Sequence, residues 1–166
     1  MRKWVAYLLL LSLLLCGCGV SEKKEEQLQF YYPTKNMDYN LGVSYLQAEP
    51  RDRVLTGYFL TEILNKYLQG PLDQMAYDMP FQYNTRVVYV VIENGIMDLT
   101  LSRGFATYKG LELTIACACI TRTAIAITGV DAVRIRADQS MLDGADYIEM
   151  NANSVLFVDN SIVSED

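Results

Sequence analysis

The sequence predicts an α+β domain. The expected architecture is one small sheet in the order strand, helix, hairpin, helix, strand, with two helices packed on one face. Three observations lead to this prediction. Asn94-Gly95 separates two runs rich in β-branched residues, Gly110–Thr128 is a long apolar stretch with helical periodicity, and Ala132–Ala137 alternates apolar and basic residues. The 166 residues suit a single domain.

The N-terminal segment is typical of a secretory signal. Two basic residues precede an apolar stretch, residues 4–15, which is too short to span a bilayer. The sequence Leu15-Cys16-Gly17-Cys18 follows and resembles the bacterial lipobox, in which a cysteine after a small residue receives a diacylglyceryl group. Cys18 fits better than Cys16, because Gly17 precedes Cys18 whereas the bulky Leu15 precedes Cys16.

We therefore expect a lipoprotein signal peptide over residues 1–17 and lipidation of Cys18. Residues 18–27, which are charged and poor in apolar side chains after the cysteine, would form a tether. A plain secretory signal and an uncleaved anchor remain the alternatives. The single folded domain is predicted over residues 28–158, followed by an acidic tail over residues 159–166.

The first half of the domain is predicted to contain two strands and a helix. Leu28–Pro33 alternates in the way a strand does, and residues 43–47 suit a short edge strand. Pro50 would occupy the first turn of a helix over residues 50–68, whose apolar positions recur at helical spacing. Gly70-Pro71 ends this helix, and the segment between it and the hairpin is predicted to be a loop.

The hairpin over residues 86–101 is the clearest element. Asn94-Gly95 suits a type I′ turn, in which both central residues need positive φ. A two-residue turn pairs Glu93 with Ile96, Ile92 with Met97, Val90 with Leu99, and Val88 with Leu101. One face is then wholly apolar, and a register slip of one residue would scatter that pattern.

The second helix, Gly110–Thr128, should end at Gly129. So little of its surface is polar that we expect it to be buried on more than one side, by the sheet and by something else. The loop over residues 72–85 or the C-terminal segment could supply the second cover; otherwise the helix would offer an interface.

The C-terminal part begins with a strand, Ala132–Ala137, in which Val133 and Ile135 face inward and two arginines face outward. The chain after this strand is acidic and rich in turn residues up to residue 150. A last short strand is predicted over residues 154–158.

Composition excludes several classes of chemistry. The chain contains no histidine, which removes Ser-His-Asp and Cys-His nucleophile arrangements and every zinc site that contains histidine. A net charge of −6 argues against a nucleic-acid partner. Cys117 and Cys119 lie two apart on a helix, cannot bridge to each other, and are interpreted as core residues. We expect no catalytic residue, cofactor or metal site.

The outer face of the sheet is the candidate interface. Tyr89, Asp98, Arg134 and Arg136 are predicted to lie there, and tyrosine and arginine often anchor protein interfaces. An ordinary solvated sheet face is the alternative. A second functional hypothesis is an exported enzyme that acts on the cell wall, with Asp98 and Glu112 as acid and base, or a lipoprotein that binds peptidoglycan or another ligand.

Three segments together resemble the GerMN domain of spore germination and sporulation lipoproteins. They are the helix end Tyr67-Leu68-Gln69-Gly70-Pro71, the hairpin Ile92-Glu93-Asn94-Gly95-Ile96-Met97-Asp98-Leu99-Thr100-Leu101-Ser102, and Thr128-Gly129-Val130-Asp131-Ala132-Val133-Arg134-Ile135. The resemblance covers about residues 28–138, and its motifs are structural.

The resemblance implies a non-catalytic envelope module, similar in shape to the ring-building domains of secretion and sporulation complexes. Family members are usually exported or lipid-anchored. The implied partners are other envelope or sporulation proteins and, through the lipid on Cys18, the outer surface of the cell membrane of a Gram-positive bacterium. Homo-oligomers would also be consistent with the resemblance.

Overall fold

The computed structural model describes residues 27–35, 45–52 and 59–155. Within these ranges the chain contains, in order, β1 (Leu28–Pro33), β2 (Leu46–Arg51), α1 (Leu60–Leu68), β3 (Val87–Glu93), β4 (Ile96–Leu101), a 3₁₀ turn (Arg103–Thr107), α2 (Gly110–Thr128), β5 (Ala132–Ala137) and β6 (Ile148–Asn151). These elements confirm the predicted α+β class.

The strands form two sheets, whereas the sequence predicted one. β1 and β2 form an antiparallel pair, and the other four strands form a sheet in the order β3-β4-β5-β6. β4 and β5 run parallel, while the other neighbours are antiparallel. β1 does not join the larger sheet, because its free edge faces α2, where the Tyr31 N–H donates to Thr123 Oγ1 at 2.8 Å.

The helix predicted to begin at Pro50 is shorter than expected. Pro50 lies in β2, opposite Gln29 of β1, and α1 begins only at Leu60. A proline is tolerated there because β2 has a sheet neighbour on one side only, so its missing N–H breaks no ladder on the other side. The edge strand predicted over residues 43–47 is likewise displaced to Leu46–Arg51; residues 43 and 44 lie outside the described ranges.

The hairpin prediction is confirmed at its turn and corrected at its far end. Asn94 and Gly95 have φ of 51° and 78°, and the three pairs nearest the turn match the predicted register. A bulge at Val88 then shifts the ladder, so Leu101 pairs with Val87 instead of Val88. Val87 is consequently buried, and Val88 is 48% exposed.

The second helix has the predicted bounds, and Gly129 follows it with φ of 73°. It packs against β1 on one side and against β5 and β6 on another. The small β1–β2 sheet therefore buries most of the side of this helix that faces away from the four-stranded sheet. By length and composition this helix would also suit a membrane span, but half of that segment is buried inside the fold as its central helix.

The last strand lies earlier than predicted. Ala132–Ala137 is confirmed as β5, and the chain returns to pair with it as β6, Ile148–Asn151. Residues 154 and 155 form a helical turn instead of a strand, and residues 156–166, which include the predicted acidic tail, lie outside the described ranges. The predicted signal peptide, Cys18 and nearly all of the tether also lie outside them.

Candidate functional site on the outer face of the sheet

The alternation of β4 and β5 places three of the four predicted interface residues side by side. Met97, Leu99 and Leu101 of β4 are buried against the core, so the residues between them face outward. Asp98 is directly opposite Arg134 on β5, and Thr100 is opposite Arg136. We name this side of the four-stranded sheet the outer face.

Asp98 holds both arginines. Arg134 Nη1 lies 3.4 Å from Asp98 Oδ2, and Arg136 Nη1 donates to Asp98 Oδ1. The side chains are only about a quarter to a third exposed, so these ion pairs are partly shielded from water. The shared carboxylate fixes the positions of two long side chains, which lowers the conformational entropy that a partner would have to remove on binding.

Glu149 and Tyr147 complete this cluster, and the sequence interpretation missed both. Arg134 donates from Nε and Nη2 to Glu149 Oε2, at 3.0 and 2.8 Å. The hydrogen bond to Glu149 is the main cause that raises the pKa of the Arg134 guanidinium. In the sequence, the apolar Ile148 and Met150 on either side of Glu149 could have indicated this strand.

Tyr147 stacks against the arginines. The guanidinium carbons of Arg134 and Arg136 lie 5.0 and 5.1 Å from the centroid of its ring. The ring remains 44% exposed, so it offers an aromatic surface held in place by two cations.

Tyr89, the fourth predicted residue, lies on β3 opposite Thr100 and faces the same way. It is 58% exposed. The structure therefore brings all four predicted residues to one face, with two exposed tyrosines flanking a neutralised Asp-Arg-Arg-Glu cluster. That a partner binds there stays a prediction.

The two carboxylates of the enzyme hypothesis do not converge. Asp98 is on the outer face, bound to arginines, whereas Glu112 lies in the first turn of α2 and lines a cleft of about 390 Å³. Tyr108, Phe81 and Met79 also line this cleft, and none of the outer-face residues does. Paired acid–base catalysis needs two groups on the same cleft.

The two cysteines of α2 are buried and unpaired, as the sequence predicted for core residues. Burial raises the pKa of the Cys117 thiol to about 12 and that of Cys119 further. Both thiols stay protonated at neutral pH, so neither is a nucleophile or a thiolate ligand in the folded domain.

A second missed feature lies at the Gly70-Pro71 motif. Glu49 Oε1 accepts from the backbone N–H groups of Leu72 and Asp73, both at 2.9 Å, and Glu49 Oε2 accepts from Arg51 Nε at 2.6 Å. Arg51 Nη2 in turn donates to the Gly70 carbonyl at 3.0 Å. This group of contacts, the Glu49 clamp, attaches the turn after α1 to β2.

The fold is that of a small α+β domain with a mixed four-stranded sheet and a buried central helix, and the outer face of that sheet carries an ion-paired cluster. The family model for the Germane domain, described as sporulation and spore germination, matches residues 29–143. The chain belongs to this family, which confirms the resemblance inferred from its sequence motifs.

A 2.5 Å crystal structure of a candidate lipoprotein from Clostridium perfringens is similar, with 18% identity, a TM-score of 0.46, and coverage of 76% of this chain and 86% of that one. No curated protein sequence matches the chain significantly.

Proposed function

We propose that this chain is a lipid-anchored, non-catalytic envelope protein that binds other proteins during sporulation or spore germination. The family match over residues 29–143 is the observation that carries the proposal, because the family is described by those two processes. Its place would be the outer surface of the cell membrane of a Gram-positive bacterium.

The lipobox supports the anchoring part. Leu15-Cys16-Gly17-Cys18 follows an apolar segment of signal-peptide length, so the signal peptidase would leave Cys18 as the first residue. One diacylglyceryl group supplies two acyl chains, which is enough for stable attachment to a bilayer. An acidic domain is repelled by anionic lipid, so the lipid would hold the protein while the fold stands away from the surface.

The outer face supports the interaction part. Its arginines already have carboxylate partners, so it is not a strong site for a free anion. Its tyrosines are exposed, and Tyr and Arg are enriched among the residues that dominate binding energy at protein interfaces. This chemistry suits a protein partner. Its surface would pack on the two tyrosine rings and form hydrogen bonds with the polar groups around them.

The test of anchoring compares two substitutions in the full-length protein. Cys18→Ala should move the protein from the membrane fraction to the soluble or secreted fraction, or leave it unprocessed. Cys16→Ala is the matched control, and it should leave the protein membrane-bound because Cys16 departs with the signal peptide. Membrane attachment and processing unchanged by Cys18→Ala would contradict the proposal.

A further inference from the structure

The free edge of β3, on the side away from β4, is unlike the other strand edges in the described ranges. β3 is the longest strand, with seven residues, and it pairs on one side only, with β4. Its sequence is apolar except for Tyr89 and the terminal Glu93. Val88, Tyr89 and Ile92 are 48%, 58% and 42% exposed. An exposed, long and apolar edge is a template for pairing with another strand.

The other edges are blunted. β6 has four residues and carries Glu149, which is ion-paired with Arg134. β2 contains Pro50, and the Tyr31 N–H of β1 is bonded to α2. At the start of β3, helix α1 packs against the strand, and the Val87 N–H donates to Asn65 Oδ1 at 2.8 Å. Among the described residues no such hydrogen bond reaches the later part of the β3 edge.

The hairpin geometry identifies which backbone groups point outward. A two-residue turn closes on a hydrogen-bonded pair, here Glu93 with Ile96, and bonded and non-bonded pairs alternate from there. The N–H and C=O groups of Val90 and Ile92 therefore point away from β4. The bulge at Val88 ends this regular stretch, so the available edge is residues 89–93.

We propose that this edge pairs with the same edge of a second copy of the chain, antiparallel, about a two-fold axis at Val91. In this register Val90 of each copy is opposite Ile92 of the other, so all the outward groups of these residues form hydrogen bonds, four in total. A register displaced by two residues toward the turn leaves some of these outward groups without hydrogen bonds. A register displaced by two residues in the opposite direction places the bulge at Val88 within the ladder.

The edge is self-complementary in this register, which favours a second copy as the occupant. Glu93 of one copy is opposite Tyr89 of the other, so no like charges face each other across the ladder. Ile92 gains cover from Val90 of the second copy. The symmetric register keeps the faces continuous, so both outer faces lie on one side of an eight-stranded sheet and both central helices on the other. This pairing goes beyond the proposed function, because it requires neither the lipid nor another protein.

Disulfide formation by Val91→Cys tests the pairing directly. Val91 on the axis is a non-hydrogen-bonded pair, the type with the closest side chains, so a disulfide between copies can form. Two differently tagged full-length copies are expressed together, the cells are oxidised mildly, and the products are separated without reductant. We expect a linked species that contains both tags. Thr100→Cys, on the same face of the neighbouring strand, should give none.

Ile92→Lys added to Val91→Cys should reduce the linked species at least tenfold, because it places a charge within the ladder. Leu111→Lys makes the same change at an exposed site on α2 and should leave the linked species unchanged. The proposal is overturned if Val91→Cys gives no linked copies, if it links to a different protein instead, if Thr100→Cys links as well, or if Ile92→Lys has no effect while the protein remains folded.

Discussion

Glu49 is a buried carboxylate that joins β2 to the turn after α1. Its side chain is 7% exposed and its two oxygens satisfy two backbone N–H groups and Arg51. The sequence could not reveal this role, because a carboxylate in a short edge strand usually faces water. Its two backbone partners come from a turn more than twenty residues away.

Glu49→Gln should lower the free energy of unfolding by about 3 kcal/mol, because Arg51 would remain buried without a counter-charge. Urea unfolding of the full chain measures the change. Lys109→Gln is the control, since its ion pair with Asp143 is more than half exposed and should contribute less than about 1 kcal/mol. Equal effects of the two substitutions would show that the clamp is not a buried ion pair.

Two threonines on α2 offer a matched comparison. Both are fully buried, but Thr123 Oγ1 accepts from the Tyr31 N–H, whereas Thr121 Oγ1 has no hydrogen-bond partner among the described residues. Thr123→Val should destabilise the domain by about 1–2 kcal/mol, because the Tyr31 N–H loses its acceptor.

Thr121→Val should be neutral or stabilising by up to about 1 kcal/mol, because it removes an unsatisfied hydroxyl from the core at nearly constant volume. Thermal or chemical unfolding of both variants measures whether the two changes in stability have opposite signs. A loss of stability in Thr121→Val as large as that in Thr123→Val would mean that Thr121 has a partner in the folded protein.

At the scale of elements, local signals were the reliable ones. The hairpin was predictable because Asn94-Gly95 and the alternation of its strands are adjacent in sequence. α2 was predictable because Gly129 marks its end. β2 was predicted too early in the chain because Pro50 suits both a helix start and an edge strand, and only pairing with β1 decides between them. β6 was missed because four residues give too short a pattern.

The turn after α1 explains why a glycine occupies position 70. Gly70 has φ of +102°, which side chains rarely adopt, and a Cβ there would overlap the Met79 sulfur. Gly70→Ala should therefore destabilise the domain by about 2 kcal/mol, chiefly from backbone strain, because the Met79 side chain is flexible and 41% exposed and can move aside.

Gly144→Ala is the matched control for this prediction. Gly144 also has positive φ, +89°, but a Cβ there would meet open space, so only the backbone cost of about 1–2 kcal/mol should remain. The difference between the two midpoints in urea isolates the Met79 contact. If the two variants have identical urea midpoints, glycine is required at position 70 only for its backbone conformation, and the Met79 contact contributes nothing.

At the scale of the whole molecule, the sequence predicted the family and the four residues of the outer face. It could not predict that Glu149 and Tyr147 join them, because their position depends on the return of the chain as β6. The face thus combines β3, β4, β5 and β6, and only the folded sheet brings them together.

The most direct test of the proposed function is crosslinking on intact cells entering sporulation, with a tagged full-length protein and mass spectrometry of what is captured. The variant that probes the outer face is Tyr147→Ala with Arg136→Ala. Its control is Tyr83→Ala with Arg103→Ala, which removes the same residue types from other exposed positions. We predict that specific envelope proteins are captured by the wild type and the control, and are reduced at least tenfold with the outer-face variant. Capture that is unchanged by the outer-face variant, or no specific capture by the membrane-bound wild type, would contradict the proposal.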